Sequence, residues 1–314
     1  MGEPCSAACV RVLAPAKLNL FLEVLARRAD GYHEIETLMV AVSVYDTVEF
    51  TARADRALQV ECDLGVRRQA NAADDTLGQV PSGVDNLAYQ AVDRLRRATG
   101  VAGGASLRIT KRIPAAAGLG GASSDAAAAL RAANTGWKLG WSLARLRELA
   151  ATIGSDVPFF LGGGAAICTG RGEQIQPVGV PANLHFVIVR PPEGLSTAAV
   201  YRRCEPAKEI RRAAPLIAQL QEGRTKELAR YLFNRLQPAA ARLTPWIERL
   251  QDEFERLDCV GHQMTGSGTS YFGICRHARH ARRVAARLRA LSLGDVRVAS
   301  SVTIAVPESK GASV

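Results

Sequence analysis

The chain has 314 residues, of which 47% are hydrophobic and 22% charged, a balance typical of a globular protein with a substantial buried core. No apolar run approaches the roughly 20 residues that a membrane-spanning helix needs, so we predict no membrane partner. The net charge of +10 and a pI near 9.6 are compatible with nucleic acid or with anionic small molecules as partners.

The distribution of basic residues and of cysteines narrows the possible partners and the cellular compartment. The densest basic cluster, residues 276–289, mixes arginine and histidine with Ala, Val and Leu but has no aromatic residue to stack on a base. We therefore predict a solvated helix face and no nucleic-acid partner. The seven cysteines are odd in number and contain no C-x-x-C pair, which favours reduced thiols in the cytoplasm over disulfides or a zinc site.

Strands and helices are predicted from the spacing of apolar residues and the positions of glycine and proline. In the first half we expect strands at Val10–Leu25, with a short break at Pro15, and at Leu38–Thr51. Mixed polar sequence follows at Thr51–Gly83, then a helix at Asp85–Thr99 and a strand at Ala105–Ile109. Two more helices are predicted at about Ser124–Asn134 and at Leu143–Ile153.

The second half is predicted to have a different texture. We expect strands at Ala165–Cys168 and Leu184–Val189, helices between Ala198 and Leu257, a strand–turn–strand at Gln263–Cys275, and a final strand at Val296–Val306. Because these elements show no regular βαβ alternation, we predict the α+β class. A domain boundary is predicted near residue 160, dividing the chain into 1–160 and 161–314.

A glycine-rich stretch between a predicted strand and a predicted helix is the strongest local signal. It reads Pro114-Ala115-Ala116-Ala117-Gly118-Leu119-Gly120-Gly121-Ala122-Ser123-Ser124. Glycines let the backbone approach a bound group, and the helix behind them directs N–H groups and a positive dipole end at it. We predict a phosphate-binding loop in which Ser123 or Ser124 caps the helix, with a plain turn as the alternative. The spacing fits neither a Walker A loop nor a dinucleotide fingerprint.

Polar residues at three other places interrupt apolar sequence. Lys17 and Asn19 lie in an apolar strand, where they either point inward and are paired or face water at an edge. Asp156 follows a glycine and precedes an apolar run, so taken alone it is expected to be an N-cap rather than a base or metal ligand. The turn Gly266-Ser267-Gly268 either is a simple hairpin or closes over a phosphate.

Together these motifs resemble the GHMP kinase superfamily. Pro114–Ser124 and Thr265–Gly268 match a loop and a turn that the superfamily shares, and Gly154–Phe159 matches its catalytic aspartate segment. The block Pro15–Leu20, followed by Arg28–His33, is most similar to the branch that acts on 4-diphosphocytidyl-2-C-methyl-D-erythritol. The matched segments occur in the family's order and span most of the chain.

The resemblance implies a two-domain fold and a phosphotransfer activity. The N-terminal domain would resemble domain 2 of ribosomal protein S5 and bind ATP, and a ferredoxin-like C-terminal domain would pack beside it. The implied reaction uses ATP and Mg²⁺ to phosphorylate the 2-hydroxyl of the cytidyl substrate in the non-mevalonate isoprenoid pathway. Lys17 and Asp156 are implied to be the catalytic pair, with Asp156 accepting the hydroxyl proton. No protein ligand to the metal is assigned.

The resemblance also implies binding roles. Asn86 and the glycine-rich stretch would bind ATP, although a helix N-cap is the alternative for Asn86. Asn19 would bind the erythritol end of the cytidyl substrate, His33 the cytosine edge, and the rings of Tyr32 and Tyr201 the two faces of the cytosine. The full set of implied substrate-binding residues is Asn19, Tyr32, His33, Thr197, Tyr201, Gly266, Ser267 and Gly268.

Three departures from the family pattern and two alternatives remain open at this point. Ala122 stands where the family's loop often has a third consecutive glycine, and Asp125 stands where asparagine is common. Asn234-Arg235-Leu236-Gln237 replaces a more acidic stretch, which leaves the C-terminal packing undetermined. Another GHMP kinase, of mevalonate or homoserine kinase type, is the alternative enzyme, and Tyr32-His33 argues against it because those substrates carry no base. An RNA-binding protein would suit the charge but gives no reason for pairing Lys17 with Asp156. No oligomeric state is indicated.

Overall fold

The computed structural model describes residues 8–63, 81, 83–179, 184–206 and 209–302. Its strands are β1 (Val10–Arg27), β2 (His33–Arg53), β3 (Leu58–Asp63), β4 (Gly104–Thr110), β5 (Ala165–Thr169), β6 (Gln174–Pro177), β7 (His185–Arg190), β8 (Phe233–Asn234), β9 (Gly261–Met264), β10 (Tyr271–Cys275) and β11 (Asp295–Ser300). Its helices are α1 (Leu87–Thr99), α2 (Gly121–Gly136), α3 (Leu143–Ala151), α4 (Val157–Leu161), α5 (Thr197–Arg203), α6 (Ala214–Gln221), α7 (Gln237–Ala241), α8 (Trp246–Glu255) and α9 (Ala278–Ala290). The predicted α+β class is confirmed.

The larger sheet has seven strands and is built around the long antiparallel pair β1 and β2. β4 and then β3 extend it beyond β2, and the hairpin of β5 and β6 also pairs with β2. β8, from much later in the chain, pairs in parallel with β1. The predicted break at Pro15 is a register shift inside a continuous strand, because a bulge accommodates a residue that cannot donate to the ladder.

Helices α1 to α4 pack on this larger sheet and on one another. The buried face of α2 is a run of alanines, whose small side chains let its backbone lie close to β1 and β2. Phe50 of β2 fixes the far end of the helix by packing edge-on against Trp137, with ring centroids 5.2 Å apart. This packing places the first turn of α2 beside β1, at the edge of the site.

The smaller sheet has the strand order β11-β7-β10-β9, and all neighbours are antiparallel. Numbered by their own succession, its strands lie in the order 4-1-3-2 of a ferredoxin-like sheet, as predicted. Helices α8 and α9 pack on one face of it. A shared apolar cluster joins the two sheets, with Leu18 and Leu20 of β1 meeting Phe186 and Phe272.

A buried ion pair connects the two halves of the chain at the segment that departs from the family pattern. Glu23 of β1 is fully buried, and Arg235 donates to both of its carboxylate oxygens at 2.7 and 2.9 Å. Burial alone would raise the pKa of Glu23, but the hydrogen bonds from Arg235 and from the Arg211 backbone hold it below its usual value. The ion pair with Glu23 therefore explains why an arginine stands at position 235, where the family pattern is more acidic.

Some boundaries differ from their predictions or lie outside the described residues. α2 begins at Gly121, three residues before its predicted start, and the last strand ends at Ser300. Residues 64–80 and 82 of the predicted mixed region, and 303–306 of the predicted last strand, lie outside the described ranges. The boundary near residue 160 stays a prediction; β5 and β6, which follow it, belong to the larger sheet.

Candidate active site

A cavity of about 870 Å³ lies where β1, the glycine-rich stretch and the turn between β9 and β10 meet. Its walls come from both halves of the chain. The predicted site residues that line it are Lys17, Asn19, Tyr32, His33, Asn86, Pro114, Ala115, Ala116, Ala117, Gly118, Leu119, Gly120, Gly121, Ala122, Ser123, Asp156, Thr197, Tyr201, Gly266 and Ser267. Ser124 and Gly268 lie behind this lining.

The glycine-rich stretch is held tightly between β1 and the turn that follows β9. Gly118 and Gly120 have φ of 73° and 72°, a left-handed conformation that glycine adopts without strain. A Cβ atom at Gly118 would overlap the carbonyl oxygen of Thr265, so only glycine fits there. On the other side, the backbone N–H of Lys17 donates to the carbonyl of Leu119 at 3.0 Å. The loop is therefore a fixed surface.

Helix α2 starts inside the predicted loop. Its cap residue is Gly120, so the expectation that Ser123 or Ser124 caps the helix is wrong, because both already lie in the first turn. Gly121, Ala122 and Ser123 line the cavity, and the free amides of a first helical turn carry the positive end of the helix dipole. This arrangement suits a phosphate group.

Lys17 points inward, as one of its two predicted orientations required. Its Nζ donates to Asn19 Oδ1 at 2.6 Å and lies 3.9 Å from Asp156 Oδ2. Burial lowers the pKa of Lys17, and the attraction of Asp156 only partly opposes this effect. The ammonium group thus has one neutral acceptor and one distant carboxylate, which leaves it able to donate to a ligand.

Asp156 immediately precedes α4, yet its side chain makes no capping hydrogen bond. The expectation of an N-cap is therefore wrong. The carboxylate instead faces the cavity with 34% of the side chain exposed, opposite Lys17. The turn between β5 and β6 approaches it, because a Cβ atom on Gly172 would lie 3.7 Å from Asp156 Oδ1. This carboxylate can accept a proton or a hydrogen bond from a bound molecule.

Sequence reasoning missed the residues that hold Asn19. Its Nδ2 donates to Thr37 Oγ1 at 2.8 Å, and its Oδ1 accepts from both Lys17 and Thr265. The backbone N–H of Asn19 also donates to Thr265 Oγ1 at 3.0 Å. These bonds make Asn19 a support for Lys17, and its contact with the erythritol end stays a prediction. Because Thr265 is 246 positions away, no local pattern reveals the link.

Asn234 was also missed as a support of the Gly-Ser-Gly turn. Its buried side-chain amide donates to the carbonyls of Met264 and Gly266 at 2.8 and 2.9 Å. Thr197 Oγ1 and Ser267 Oγ lie 2.9 Å apart and connect the same turn to α5. The turn is therefore anchored on both sides while Gly266 and Ser267 still face the cavity.

Aromatic side chains gather at one end of the cavity. The rings of His33 and Tyr201 lie 5.1 Å apart and 31° from parallel. Burial lowers the pKa of His33 and raises that of Tyr201, so both rings are uncharged at neutral pH. Tyr32 is 53% exposed, and the guanidinium of Arg171, a residue that sequence reasoning did not select, lies 4.8 Å from its ring. A base could stack here, which stays a prediction.

Asn86 lines the same cavity from the N-terminus of α1. Its Oδ1 accepts from the backbone N–H of Ala88 at 2.9 Å, so it is the N-cap of α1 that the alternative reading proposed. Its Nδ2 donates to the carbonyl of Pro81 at 3.0 Å. Because the residue also lines the cavity, the predicted contact with ATP stays open as a prediction.

The described part of the chain contains neither a cluster of metal-binding side chains nor a membrane-spanning helix. No group of three or more His, Cys, Asp or Glu side chains lies close enough together there to hold a metal ion. In the same ranges, none of the helices has the length and apolar character required to cross a membrane.

The chain is similar to known kinase families and proteins. The family "GHMP kinases N terminal domain" matches residues 86–164, and "GHMP kinases C terminal" matches residues 216–292. The 4-diphosphocytidyl-2-C-methyl-D-erythritol kinase of Pelotomaculum thermopropionicum is 40% identical over 282 residues, which cover 89% of this chain and 94% of that protein. The protein of the same name from Shouchella clausii is 40% identical over 88% of this chain and 90% of its own length.

Solved structures give the same result. A crystal structure of 4-(cytidine 5'-diphospho)-2C-methyl-D-erythritol kinase superposes with a TM-score of 0.76 at 33% identity, covering 93% of this chain and 98% of that one. A mevalonate kinase from L. major superposes with a TM-score of 0.73 at 14% identity, over 98% of this chain and 100% of the other, and shows the fold alone. By its sequence and its two-domain fold, this chain belongs to the 4-diphosphocytidyl-2-C-methyl-D-erythritol kinase family of the GHMP kinases.

Proposed function

We propose that the protein transfers the γ-phosphoryl group of ATP to the 2-hydroxyl of 4-diphosphocytidyl-2-C-methyl-D-erythritol. The single observation that carries the proposal is the meeting of Lys17 and Asp156, 3.9 Å apart, beside a glycine loop that ends in a helix N-terminus. Phosphoryl transfer depends mainly on positioning and on charge stabilisation, so a loop, one base and one cation can suffice.

The glycine loop is proposed to hold the triphosphate. The amides of the first turn of α2 would donate to phosphate oxygens, and the left-handed glycines keep side chains out of the way. Gly266 lies beside Lys17, since a Cβ atom there would be 3.1 Å from Nζ. The Gly-Ser-Gly turn would therefore close on the phosphoryl group from the C-terminal side.

Lys17 and Asp156 are proposed to act in one step, Asp156 on the attacking hydroxyl group and Lys17 on the transferred phosphoryl group. The substrate hydroxyl oxygen attacks the γ-phosphorus, its proton passes to the Asp156 carboxylate, and the bond from phosphorus to the β,γ-bridging oxygen breaks to release ADP. Lys17 would donate to the oxygens on which negative charge gathers. Its ammonium group donates to Asn19, which Thr37 and Thr265 hold in place in turn, so little reorganisation is needed during the reaction.

Mg²⁺ is included in the proposal because the donors fit. Mg²⁺ in phosphotransfer sites is usually held by one or two carboxylates together with the phosphates of the nucleotide. Asp156 presents such a carboxylate to the cavity and would hold the ion through one of its oxygens. When bound, the ion supplies neutralisation of phosphate charge.

The cytidyl end of the substrate is proposed to bind among His33, Tyr32 and Tyr201. The rings of His33 and Tyr201 are uncharged, and Tyr32 is exposed, which suits stacking and hydrogen bonding with a base. Mevalonate and homoserine carry no base, so kinases of those types would leave this end of the cavity unused. The relatives that share 37–40% identity with this chain carry the cytidyl kinase name, which favours this substrate.

The compartment is proposed to be the cytoplasm. Among the described residues, Cys9, Cys62, Cys168, Cys204, Cys259 and Cys275 are free thiols. Thiols of this kind persist in a reducing compartment, where ATP is also abundant.

A coupled assay of ADP release tests the function. With the cytidyl substrate and Mg-ATP we expect turnover, and none with mevalonate or homoserine. Asp156→Asn should lower kcat by about 10²–10⁴, because the substitution removes both the base and the carboxylate proposed to hold the metal ion. Asp252→Asn, an exposed aspartate on α8, is the matched control and should behave as wild type. Turnover of mevalonate in place of the cytidyl substrate would refute the assignment.

A further inference from the structure

Three buried charged side chains sit at the root of the glycine loop, outside the catalytic pair. Lys111 follows β4, Asp46 lies on β2 and Asp125 lies in the second turn of α2. Their residues are 4%, 0% and 4% exposed, respectively. Lys111 Nζ donates to a carboxylate oxygen of Asp46 and, at 2.6 Å, to Asp125 Oδ2. This group is called the loop brace below.

The loop brace holds both ends of the glycine loop. Asp46 Oδ1 accepts from the backbone amides of Arg112 and Ile113, the second at 2.8 Å, just before the loop begins at Pro114. Asp125 follows the last loop residue and is fixed by the same ammonium group. Any change in the charge of the brace therefore acts on the loop directly.

The charges in the brace do not balance if both carboxyls are ionised. Asp46 has Lys111 and two amides to stabilise its negative charge. Asp125 has only a share of Lys111 at Oδ2, and its buried Oδ1 has no hydrogen-bond partner in the described part of the chain. The titratable groups that face Asp125 are Lys111 from β4, Asp46 from β2 and the Cys62 thiol from β3. Burying a second carboxylate that must share its cation with Asp46 costs folding free energy.

We propose that Asp125 is a neutral carboxylic acid in the working enzyme and acts as a positioning residue for the nucleotide, keeping the loop brace uncharged beside the phosphate site. Asp125 and Lys111 both line the cavity, at the end where Asn86 lies. Loss of the Asp125 proton would place an uncompensated negative charge next to a polyanion. This inference rests on the proposed function, since it assumes that ATP or ADP occupies the loop.

The electrostatics of the neighbours agree with this geometry. Burial raises the pKa of Asp125 to about 8, with Lys111 opposing the shift and Asp46 adding to it. The pKa of Lys111 is itself raised, because its two carboxylate partners outweigh burial, and burial raises the pKa of the Cys62 thiol. Near pH 8 the brace therefore changes charge mainly at Asp125.

The test is the affinity for ADP, measured by calorimetry in EDTA from pH 7 to 9.5, for wild type and for Asp125→Asn. The terminal phosphate of ADP ionises near pH 6, so the ligand charge is constant over this range. Asparagine has the shape of the neutral acid, so both proteins should bind equally at pH 7. At pH 9.5 we expect wild type to bind about tenfold more weakly than the variant.

Comparison of the two proteins cancels the contribution of Lys17, whose pKa is lowered by burial in both. Asp55→Asn, an exposed aspartate paired with Arg53, is the matched control and should follow wild type. The inference would be overturned if the ratio of the two dissociation constants for ADP, wild type over Asp125→Asn, stays constant with pH. It would also be overturned if the variant already binds ADP more weakly at pH 7. Absence of ADP binding by wild type would instead refute the proposed function.

Thermal or chemical unfolding gives a readout that needs no ligand. A raised carboxyl pKa means that the folded state binds an extra proton between the unfolded value of 3.8 and about 8. Wild-type stability conferred by that proton is complete below the lower value and is lost as pH rises through the higher one. The Asp125→Asn variant lacks this loss, so its advantage should grow from pH 4 to 8. A variant that fails to fold would show that the negative charge is required, and would also overturn the inference.

Discussion

Two buried lysines flank the glycine loop, and their surroundings differ in a way that separates a chemical role from a structural one. Lys17 has a neutral acceptor at 2.6 Å and a carboxylate at 3.9 Å, and burial lowers its pKa. Lys111 is equally buried but is bonded to two carboxylates, and its pKa is raised. An ammonium group whose near acceptor is neutral can serve an anionic ligand, whereas one whose charge is already neutralised by bonded carboxylates mainly holds the protein together.

Replacing Lys111 with methionine should give the largest effect and act on stability. The change leaves Asp46 and Asp125 buried without their cation, so the free energy of unfolding should fall by about 3–5 kcal/mol. Urea denaturation measures this loss. If Lys111→Met unfolds at the wild-type midpoint, the lysine is not structural and the comparison between the two lysines fails.

The same substitution at Lys17 should act on turnover instead. Lys17→Met removes a donor from the developing charge, and kcat should fall by about 10²–10³. Because burial lowers the pKa of Lys17, its charged form costs folding free energy at neutral pH. The variant should therefore be as stable as wild type or more stable, which the same urea curves would show. A large loss of stability with normal kcat would exchange the roles of the two lysines.

The difference between these lysines could not be read from the sequence. Both occur near motifs, but the partners of Lys111 lie 65 and 14 positions away, and the bond between Asn19 and Thr265 spans 246. The sequence did contain a weaker signal, because Asp46 and Asp125 interrupt apolar strand and alanine-rich helix sequence. Charged residues in such places are paired when buried, but only the fold decides with what.

Elements with strong local signals were predictable. The long strands, helix α1 and the glycine loop follow from spacing and composition, and the family resemblance implied the ferredoxin-like C-terminal domain. The cap of α2 was not predictable from serine preference, because Gly120 in the left-handed conformation ends the loop and starts the helix. The expectation that Asp156 is a cap also rested on local preference alone. In the structure its side chain faces Lys17 and makes no capping hydrogen bond.

Gly118→Ala should give a smaller but specific effect. The added Cβ would overlap the backbone carbonyl of Thr265 at a position with φ of 73°, so the loop must shift. We expect KM for ATP to rise by about tenfold or more, with a smaller change for the cytidyl substrate. Gly140→Ala is the matched control, since Gly140 has φ of 66° and open space around it. Equal effects of both substitutions on KM for ATP would mean that backbone strain alone, and not the closeness of the loop to the turn, matters.

His33→Ala should give the smallest effect, confined to the far end of the cavity. Loss of one ring that contacts Tyr201 removes about 1–3 kcal/mol of base binding, so KM for the cytidyl substrate should rise about tenfold. KM for ATP should change by less than about twofold, and steady-state kinetics with each substrate varied in turn measure both. Matching losses for the two substrates would place His33 outside the base-binding end.

A crystal structure with a non-hydrolysable ATP analogue and the cytidyl substrate bound together tests the central claim most directly. The account predicts the triphosphate against the amides of Gly120 to Ser123, with Asp156 within hydrogen-bond distance of the acceptor hydroxyl and Lys17 beside the terminal phosphate. A nucleotide bound elsewhere, or a hydroxyl directed away from Asp156 in an otherwise complete complex, would contradict it.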